Sequence, residues 1–190
     1  MNKRCAYFST QLKTRAEPNS TDKYIEGYFI VFNQPTELWC DYLEQIAPEA
    51  VEDSLKNNDI RCLFNHNDDI VLGRTLSKTL ELRTDAHGLW GRVKINGNDN
   101  AAMDAYSRVE RGDISGCSFG FVPITEEYTT SGNQTLCTVR KADIFEISVC
   151  TFPAYPQTEI QARKSELSKN KEESIKIKKS ELSKRLEAIK

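Results

Sequence analysis

The sequence has few histidines, no C-x-x-C pair of cysteines and no phosphate-binding loop, and each absence argues against one class of binding site. His66 and His87 are the only two histidines in 190 residues, which excludes a histidine-rich metal site. No glycine-rich loop leads into a Lys-Ser or Lys-Thr pair, so a P-loop nucleotide site is excluded. The six cysteines contain no C-x-x-C pair, which argues against a zinc ribbon. We therefore expect neither a metal ion nor a cofactor.

Long apolar runs are lacking as well. No run approaches the ~20 residues that a membrane-spanning helix needs. The N-terminus, MNKRC, has no apolar segment behind its charges, so we expect no secretory signal, and the unpaired cysteines favour reduced thiols in a cytoplasm. With 38% hydrophobic and 28% charged residues, the composition is typical of a soluble protein with one sizeable core and a polar extension.

Charge is distributed unevenly along the chain. The net charge is −2, yet residues 164–190 carry 9 lysine and arginine residues against 5 glutamates. The body is therefore acidic and the tail basic, which predicts a boundary near Arg163. We expect three segments, a polar N-terminal arm, a folded domain and a charged tail, at residues 1–22, 23–163 and 164–190.

The tail contains the sequence KSELSK twice, at 164–169 and at 179–184. Its apolar residues make a narrow stripe at helical spacing, too thin to bury much area: Leu182, Leu186 and Ile189. An isolated helix of this length is marginal in water, so we expect a charged helical or disordered segment. Two interpretations stay open, a solvated helix or an element for encapsidation or self-processing.

Patterns typical of short strands dominate the rest of the chain. Strands are predicted around Ser118 and at 24–33, 39–46, 60–65, 71–75, 79–84, 89–95, 135–139 and 143–152. Two helices are predicted, at 48–57 and from about 100 to 111, and 125–134 is expected to be a polar hairpin loop. The absence of βαβ alternation favours antiparallel pairing, and closure would remove the exposed strand edges. We expect an α+β, β-rich fold, a mostly antiparallel closed barrel of about seven strands flanked by helices.

The stretch RGDISGCSFGF places a small hydroxyl side chain between two glycines. Gly116 and Gly120 have no Cβ, so another backbone or a ligand can approach Ser118 closely. Strand parity puts Ser118 and Gly120 on one face, and Cys117 with the aromatic residues on the other. Ser118 is either a nucleophile or a core serine bonded to a neighbouring carbonyl. Cys117 is the weaker nucleophile, because a thiol that faces a core is usually inert.

A serine nucleophile needs a base, and His66 is the natural candidate. It follows a predicted strand and is flanked by Asn65 and Asn67, where an imidazole can reach into a cleft. A solvated turn histidine is the alternative interpretation. His87 is a weaker candidate because it lies at a predicted hairpin tip.

The group that orients such an imidazole is usually a carboxylate, and Glu146 is the candidate. It lies inside the predicted strand at 143–152, where an unpaired carboxylate would be costly to bury. We therefore expect Glu146 either to lie on an open face or to be paired. Asp113 and Asp143 stand at loop ends, and a solvated position explains them equally well.

Several motifs extend this pattern over residues 24–163. They are GYFIVFN, EQIAPEAV, DIRCLFNHN with VLGRT, LELRTDAHGL, VERGDISGCSFGF and FEISVCTFPAYPQTEI. In this order they resemble the prohead (capsid maturation) protease family of tailed phages, which is similar in fold and catalytic plan to the herpesvirus assemblins. The chain departs from that pattern in having PEAV where the family more often has PGAF. It also has no second histidine matching the third catalytic member of the assemblins.

The resemblance implies a serine endopeptidase in which Ser118 is the nucleophile, His66 the general base and Glu146 the acid that orients His66. Its expected partners are the major capsid protein or its scaffolding segment, and the chain itself through self-cleavage. It would act inside the assembling procapsid in the host bacterial cytoplasm, with no nucleic-acid or membrane partner, and a homo-oligomer is compatible with it. The alternative function is a non-catalytic capsid-assembly or scaffold-binding module on the same fold, which would need none of the three residues.

Overall fold

The structure is a computed structural model, and it describes residues 4–8, 12–16 and 22–152 together with Lys176 and Lys179. The chain divides into two compact units, Met1–Tyr155 and Pro156–Lys190, and the features below belong to the first unit. The expected charged helical tail at 164–190 is not supported, because apart from the two lysines it lies outside the described residues.

Eleven strands and two α-helices form within the described residues. The strands are β1 Arg4–Phe8, β2 Lys13–Ala16, β3 Lys23–Val31, β4 Thr36–Trp39, β5 Tyr42–Ile46, β6 Arg61–Phe64, β7 Asn67–Arg74, β8 Leu80–Thr84, β9 Gly88–Ile95, β10 Gly116–Ser131 and β11 Gln134–Cys150. The helices are α1 Glu52–Asn57, which follows a 3₁₀ turn at Pro48–Val51, and α2 Asn100–Arg111. The expectation of a β-rich fold with two helices is therefore confirmed.

A long antiparallel hairpin of β10 and β11 organises the larger, seven-stranded sheet. The strand order is β1-β10-β11-β5-β4, and β6 pairs with both β11 and β7. β11 has 17 residues, and its two halves pair in parallel with different strands. Its first half pairs with β5, and its second half, from Glu146 to Val149, pairs with β6. The second pairing brings the end of β6 beside the part of β11 that carries Glu146.

The expected closed barrel is wrong, because the described strands form two open sheets. The second sheet has four antiparallel strands in the order β2-β3-β9-β8. Closure is only one way to protect a sheet edge, and short edge strands are another. The strands β1, β2, β4 and β8, which end the two sheet orders, have only 5, 4, 4 and 5 residues. The sequence predicted about seven strands, whereas eleven form among the described residues, and it did not show which of them pair.

Apolar side chains from both sheets share one core. Phe29 of β3 and Phe119 and Phe121 of β10 are all fully buried, and the last two rings stack with their centroids 4.9 Å apart. The Cys117 thiol donates a hydrogen bond to the carbonyl oxygen of Tyr28 at 3.2 Å, so this face of β10 packs on β3. Burying each aromatic side chain contributes about 1.5–3 kcal/mol. The opposite face of β10 is then left for polar side chains.

Helix α1 is tied to β11 by a buried hydroxyl. Ser54 Oγ donates to the carbonyl oxygen of Ala142 and accepts from the N–H of Ile144, both at 2.9 Å. These two hydrogen bonds to the backbone hold α1 close to the start of the part of β11 that carries Glu146.

Helix α2 begins and ends at the residues that the sequence pattern predicts. The Asp99 side chain accepts hydrogen bonds from the N–H groups of Ala101 and Ala102, and Gly112 ends the helix with a φ of 82°. None of the helices among the described residues is long and apolar enough to span a membrane.

Candidate active site

Ser118 lies in the middle of the larger sheet. On the β10–β11 ladder it is opposite Ser148, and on the β1–β10 ladder it is opposite Tyr7. Residues opposite each other share a face, so Ser118 and Ser148 point the same way, while Cys117 faces the core. The expected parity of this strand therefore holds around Ser118. The side chain of Ser118 is fully buried, so the expected open space around its hydroxyl is not present in this state.

Gly120 makes room for the Glu146 carboxylate. A Cβ at this position would lie 2.5 Å from Glu146 Oε1 and 2.6 Å from the Phe145 ring. Because real Cβ atoms do not come so close to other heavy atoms, any larger residue would displace one of these side chains. The sequence pattern assigned this glycine to the close approach of another backbone or a ligand, whereas in the structure it makes space for the Glu146 side chain.

His66 follows β6 in an unusual backbone turn. Asn65 and His66 have φ values of 53° and 57°, in the left-handed region that costs a non-glycine residue about 1–3 kcal/mol. The turn is held on β11 by backbone and side-chain hydrogen bonds. Asn65 N–H donates to Val149 O at 2.9 Å, and Thr151 N–H donates to Asn65 Oδ1 at 2.8 Å. These bonds fix the direction in which the imidazole leaves the backbone.

The imidazole of His66 contacts Glu146 directly. His66 Nδ1 lies 2.7 Å from Glu146 Oε1. The hydroxyl of Ser148 donates to the second carboxylate oxygen, Oε2, at 2.6 Å and accepts from the backbone N–H of His66 at 3.2 Å. Glu146 is 5% exposed as a residue, and Ser148 is fully buried. A strand-centre glutamate with a buried carboxylate thus has a hydrogen-bond partner on each oxygen.

The surroundings of His66 favour its charged form. Burial opposes protonation of the ring, but contacts with Cys150, Cys5 and the Glu146 carboxylate outweigh it and raise the pKa of His66 from 6.5 to about 12. A ring with this pKa is protonated at neutral pH and forms an ion pair with Glu146. Because the folded-state pKa lies above the ordinary value, this pair stabilises the fold fully below pH 6.5 and progressively less as the pH rises toward 12.

The structure brings Ser118 to the same face as the pair of His66 and Glu146. Opposed residues on neighbouring strands have Cβ atoms about 4.5–5.5 Å apart, and Ser148, opposite Ser118, contacts both members of the pair. The other ring nitrogen of His66, Nε2, is buried and has no hydrogen-bond partner among the residues that the structure describes. The Ser118 hydroxyl is therefore not bonded to it in this state. The catalytic roles of the three residues remain predictions.

The weaker candidates from the sequence have other contacts. His87 packs edge-on against Tyr28 with ring centroids 4.5 Å apart. Asp143 accepts a hydrogen bond from Asn58 at 2.6 Å, and Asp113 pairs with Arg111 at 2.7 Å. Each of the three is thus accounted for by a local contact away from His66.

Sequence reasoning missed three residues that surround His66, namely Ser148, Cys5 and Cys150, and it named Asn65 only as a neighbour along the chain. Asn65 and Ser148 hold its backbone, and Cys5 and Cys150 lie against its ring; the Cys5 sulfur is 3.9 Å from Nδ1. The sequence carries a signal for two of them. Ser148 and Cys150 follow Glu146 at intervals of two residues, and residues at this spacing lie on the same face of a strand. Nothing in the sequence places Cys5 there, since its position depends on the pairing of β1 with β10.

Two clusters bring metal-ligating atoms together. Cys5, His66 and Glu146 have ligand atoms within 4.8 Å of one another, and so do Glu44, Glu126 and Cys137. In the second cluster Arg4 already supplies a cation, since it pairs with both glutamates. In the first, the donor set would suit zinc, but a metal ion bound by Nδ1 would replace the contact between His66 and Glu146.

Known phage proteins are similar to this chain in sequence and in fold. Residues 10–173 match the family described as Caudovirus prohead serine protease. The prohead protease of Enterobacteria phage HK97 is 33% identical over 143 residues, which cover 74% of this chain and 60% of that protein. The chain thus spans less than two thirds of the length of this relative. The solved structure of the bacteriophage T4 capsid assembly protease aligns with a TM-score of 0.53 and 10% identity, over 80% of this chain and 98% of that one. At this identity the likeness concerns the fold alone.

Proposed function

The chain belongs to the family of caudovirus prohead serine proteases, and we propose on this premise that it is a serine endopeptidase of capsid maturation. Ser118 is its nucleophile, His66 its general base and Glu146 the acid that orients His66. The observation that carries the assignment is the contact of 2.7 Å between His66 Nδ1 and Glu146 Oε1, beside a buried Nε2 and on the face that Ser118 shares.

The proposed reaction follows from which nitrogen of the imidazole is engaged. Glu146 accepts a hydrogen bond from the Nδ1–H of His66, so the neutral form of His66 has its lone pair on Nε2. Nε2 takes the proton of the Ser118 hydroxyl as Oγ attacks the scissile carbonyl, and then gives that proton to the leaving amine. Water then attacks the acyl-enzyme while the same nitrogen takes one of its protons, and Nε2 returns that proton to Ser118 Oγ as the acid product leaves. Catalytic hydrogen bonds are often long before substrate binds, which agrees with the missing contact between Ser118 and Nε2.

The proposed substrates follow from the relatives' names, which refer to a prohead and to capsid assembly. We infer that the enzyme cleaves the major capsid protein or its scaffolding segment inside the assembling procapsid in the host cytoplasm, and that it also cleaves itself. An enclosed compartment concentrates enzyme and substrate, so affinity for a single cleavage site need not be high.

The test is expression of the whole chain with its capsid and scaffolding proteins, followed by intact-mass measurement. Ser118→Ala should abolish cleavage of both the partners and the chain. Ser107→Ala, on the exposed side of α2, is the matched control and should leave cleavage unchanged. Cleavage that persists in the Ser118→Ala variant would refute the assignment.

A second function, a non-catalytic assembly module, is favoured by one observation. Ser118 is fully buried, and a nucleophile must be reached by its substrate. The two functions differ in the behaviour of His66→Ala. That variant should stop cleavage but still permit assembly if the chain is an enzyme, whereas a module would show no cleavage to lose.

A further inference from the structure

Ser148 uses both hydrogen-bonding functions of its hydroxyl on the candidate active site. It lies on β11 two residues after Glu146 and is fully buried. Its O–H donates to Glu146 Oε2 at 2.6 Å, and its oxygen accepts the backbone N–H of His66 at 3.2 Å. The Ser148 side chain therefore links the Glu146 carboxylate to the backbone of His66, whose ring the same carboxylate contacts.

The consequence of the first bond is a fixed carboxylate. A terminal carboxylate group rotates with little resistance, because its last torsion is broad. With Oε2 held by Ser148, Oε1 is the oxygen that faces His66 Nδ1, at 2.7 Å. Without the hydroxyl, the carboxylate could turn and the contact with the ring would lose its direction.

The consequence of the second bond is a fixed imidazole. His66 stands in a left-handed turn with a φ of 57°, which is unfavourable for a residue with a Cβ. Its own N–H has Ser148 Oγ as acceptor, beside the bond of the preceding N–H to Val149 O. Losing the Ser148 acceptor would free the turn to relax and move the ring relative to Ser118.

We propose that Ser148 is a positioning residue, which holds the Glu146 carboxylate and the His66 backbone so that Nε2 is directed to the nucleophile. It touches no reacting atom, and it acts through the other two residues. The proposal rests on the proposed function for its catalytic consequence, while the geometry that it describes can be measured without catalysis.

The experiment compares Ser148→Ala with Ser148→Thr and a matched control, Ser54→Ala. Ser54 is also a buried serine with two hydrogen bonds to β11, but its partners are the backbone groups of Ala142 and Ile144. All variants are made in the full chain that carries Ser118→Ala, so that self-cleavage does not interfere. Nitrogen-15 NMR of the imidazoles is the readout, and because the chain has only two histidines, His87→Gln assigns the His66 signals.

The expected result is specific to Ser148. Ser148→Ala should lose the hydrogen-bonded Nδ1–H signal of His66 and shift its titration, Ser148→Thr should restore both, and Ser54→Ala should lower the Tm with His66 unchanged. With Ser118 present, Ser148→Ala should slow cleavage about 100-fold, the loss typical of a small misplacement of reacting groups.

The proposal would be overturned by a His66 spectrum that is the same in Ser148→Ala as in the parent, or by equal changes in Ser54→Ala. If the His66 signals change as expected while Ser118→Ala does not affect processing, the positioning role of Ser148 stands and the proposed protease function fails. The two failures are therefore separable.

Discussion

Replacing Glu146 by glutamine tests the candidate site at its charged contact. Glutamine keeps the shape of the side chain and an oxygen that can accept the Nδ1–H of His66, but it removes the negative charge. The pKa of His66 must then fall, because the imidazolium loses the anion that faces it at 2.7 Å. Burial and the two thiols still act on the ring.

The size of the effect follows from the distance and the burial of the pair. Two unit charges about 4 Å apart in an effective dielectric constant of about 20 attract each other by about 4 kcal/mol. One pK unit corresponds to about 1.4 kcal/mol, so the variant should lower the pKa of His66 by about three units. The pair is closer than 4 Å and its side chains are only 22% and 6% exposed, so a shift of less than one unit would be too small for the geometry.

The assay is an NMR titration of His66 in the Ser118→Ala background, with and without Glu146→Gln. The stability difference should follow the same linkage: it is largest where His66 is charged in both proteins, near pH 6, and it falls as the pH rises toward 12, where the parent's His66 is half deprotonated. In the active chain, cleavage should fall steeply, by up to the roughly 10⁴-fold seen when a triad acid becomes an amide. An unchanged pKa of His66 would refute the ion pair, and unchanged cleavage would remove Glu146 from the catalytic site.

Two further substitutions test the strand that carries Ser118. Gly120→Ala should displace the Glu146 carboxylate, costing about 1–3 kcal/mol of stability and slowing cleavage, as measured by thermal denaturation and by intact mass; unchanged cleavage would show that the space beside Gly120 is not needed. Cys117→Ala should retain cleavage at a cost of about 1 kcal/mol, because its thiol faces the core and bonds to the Tyr28 carbonyl. Loss of cleavage in a folded Cys117→Ala protein would make the thiol, not Ser118, the nucleophile.

Local patterns allowed the residues of the candidate site to be predicted. Alternation along β10 places the Ser118 side chain opposite in direction to that of Cys117, and the cost of burying a lone carboxylate leaves Glu146 either on an open face or paired. Helix α2 could be predicted from Asp99 and Gly112, whose side chain and backbone suit the two ends of a helix. These inferences depend on neighbours within a few residues, and such neighbours are visible in a sequence.

Features that depend on pairing between distant strands could not be predicted. The segment 125–134 is too polar to indicate a strand, yet most of it extends the β10–β11 hairpin, with exposed residues on both faces. Residues 39–46 form not one strand but two strands separated by a turn, in which Asp41 has a φ of 65°. Likewise, Cys5 reaches His66 only because β1 pairs with β10 over a separation of more than 100 residues. A barrel and two open sheets can be built from the same short strands.

The state of the site bears on how such a protease would be restrained. Ser118 is fully buried, and so is the Nε2 atom of His66. The raised pKa of His66 keeps its ring protonated at neutral pH. On the proposed function, neither residue is ready to react, since a protonated ring cannot accept the proton of the hydroxyl. Movement of the residues that cover Ser118 would admit substrate, but water alone would not free Nε2, because burial opposes the protonation of His66 and water would relieve that burial. On the proposed function, an opening step therefore provides access to Ser118 but not the base, so access and deprotonation of His66 are two separate points of control.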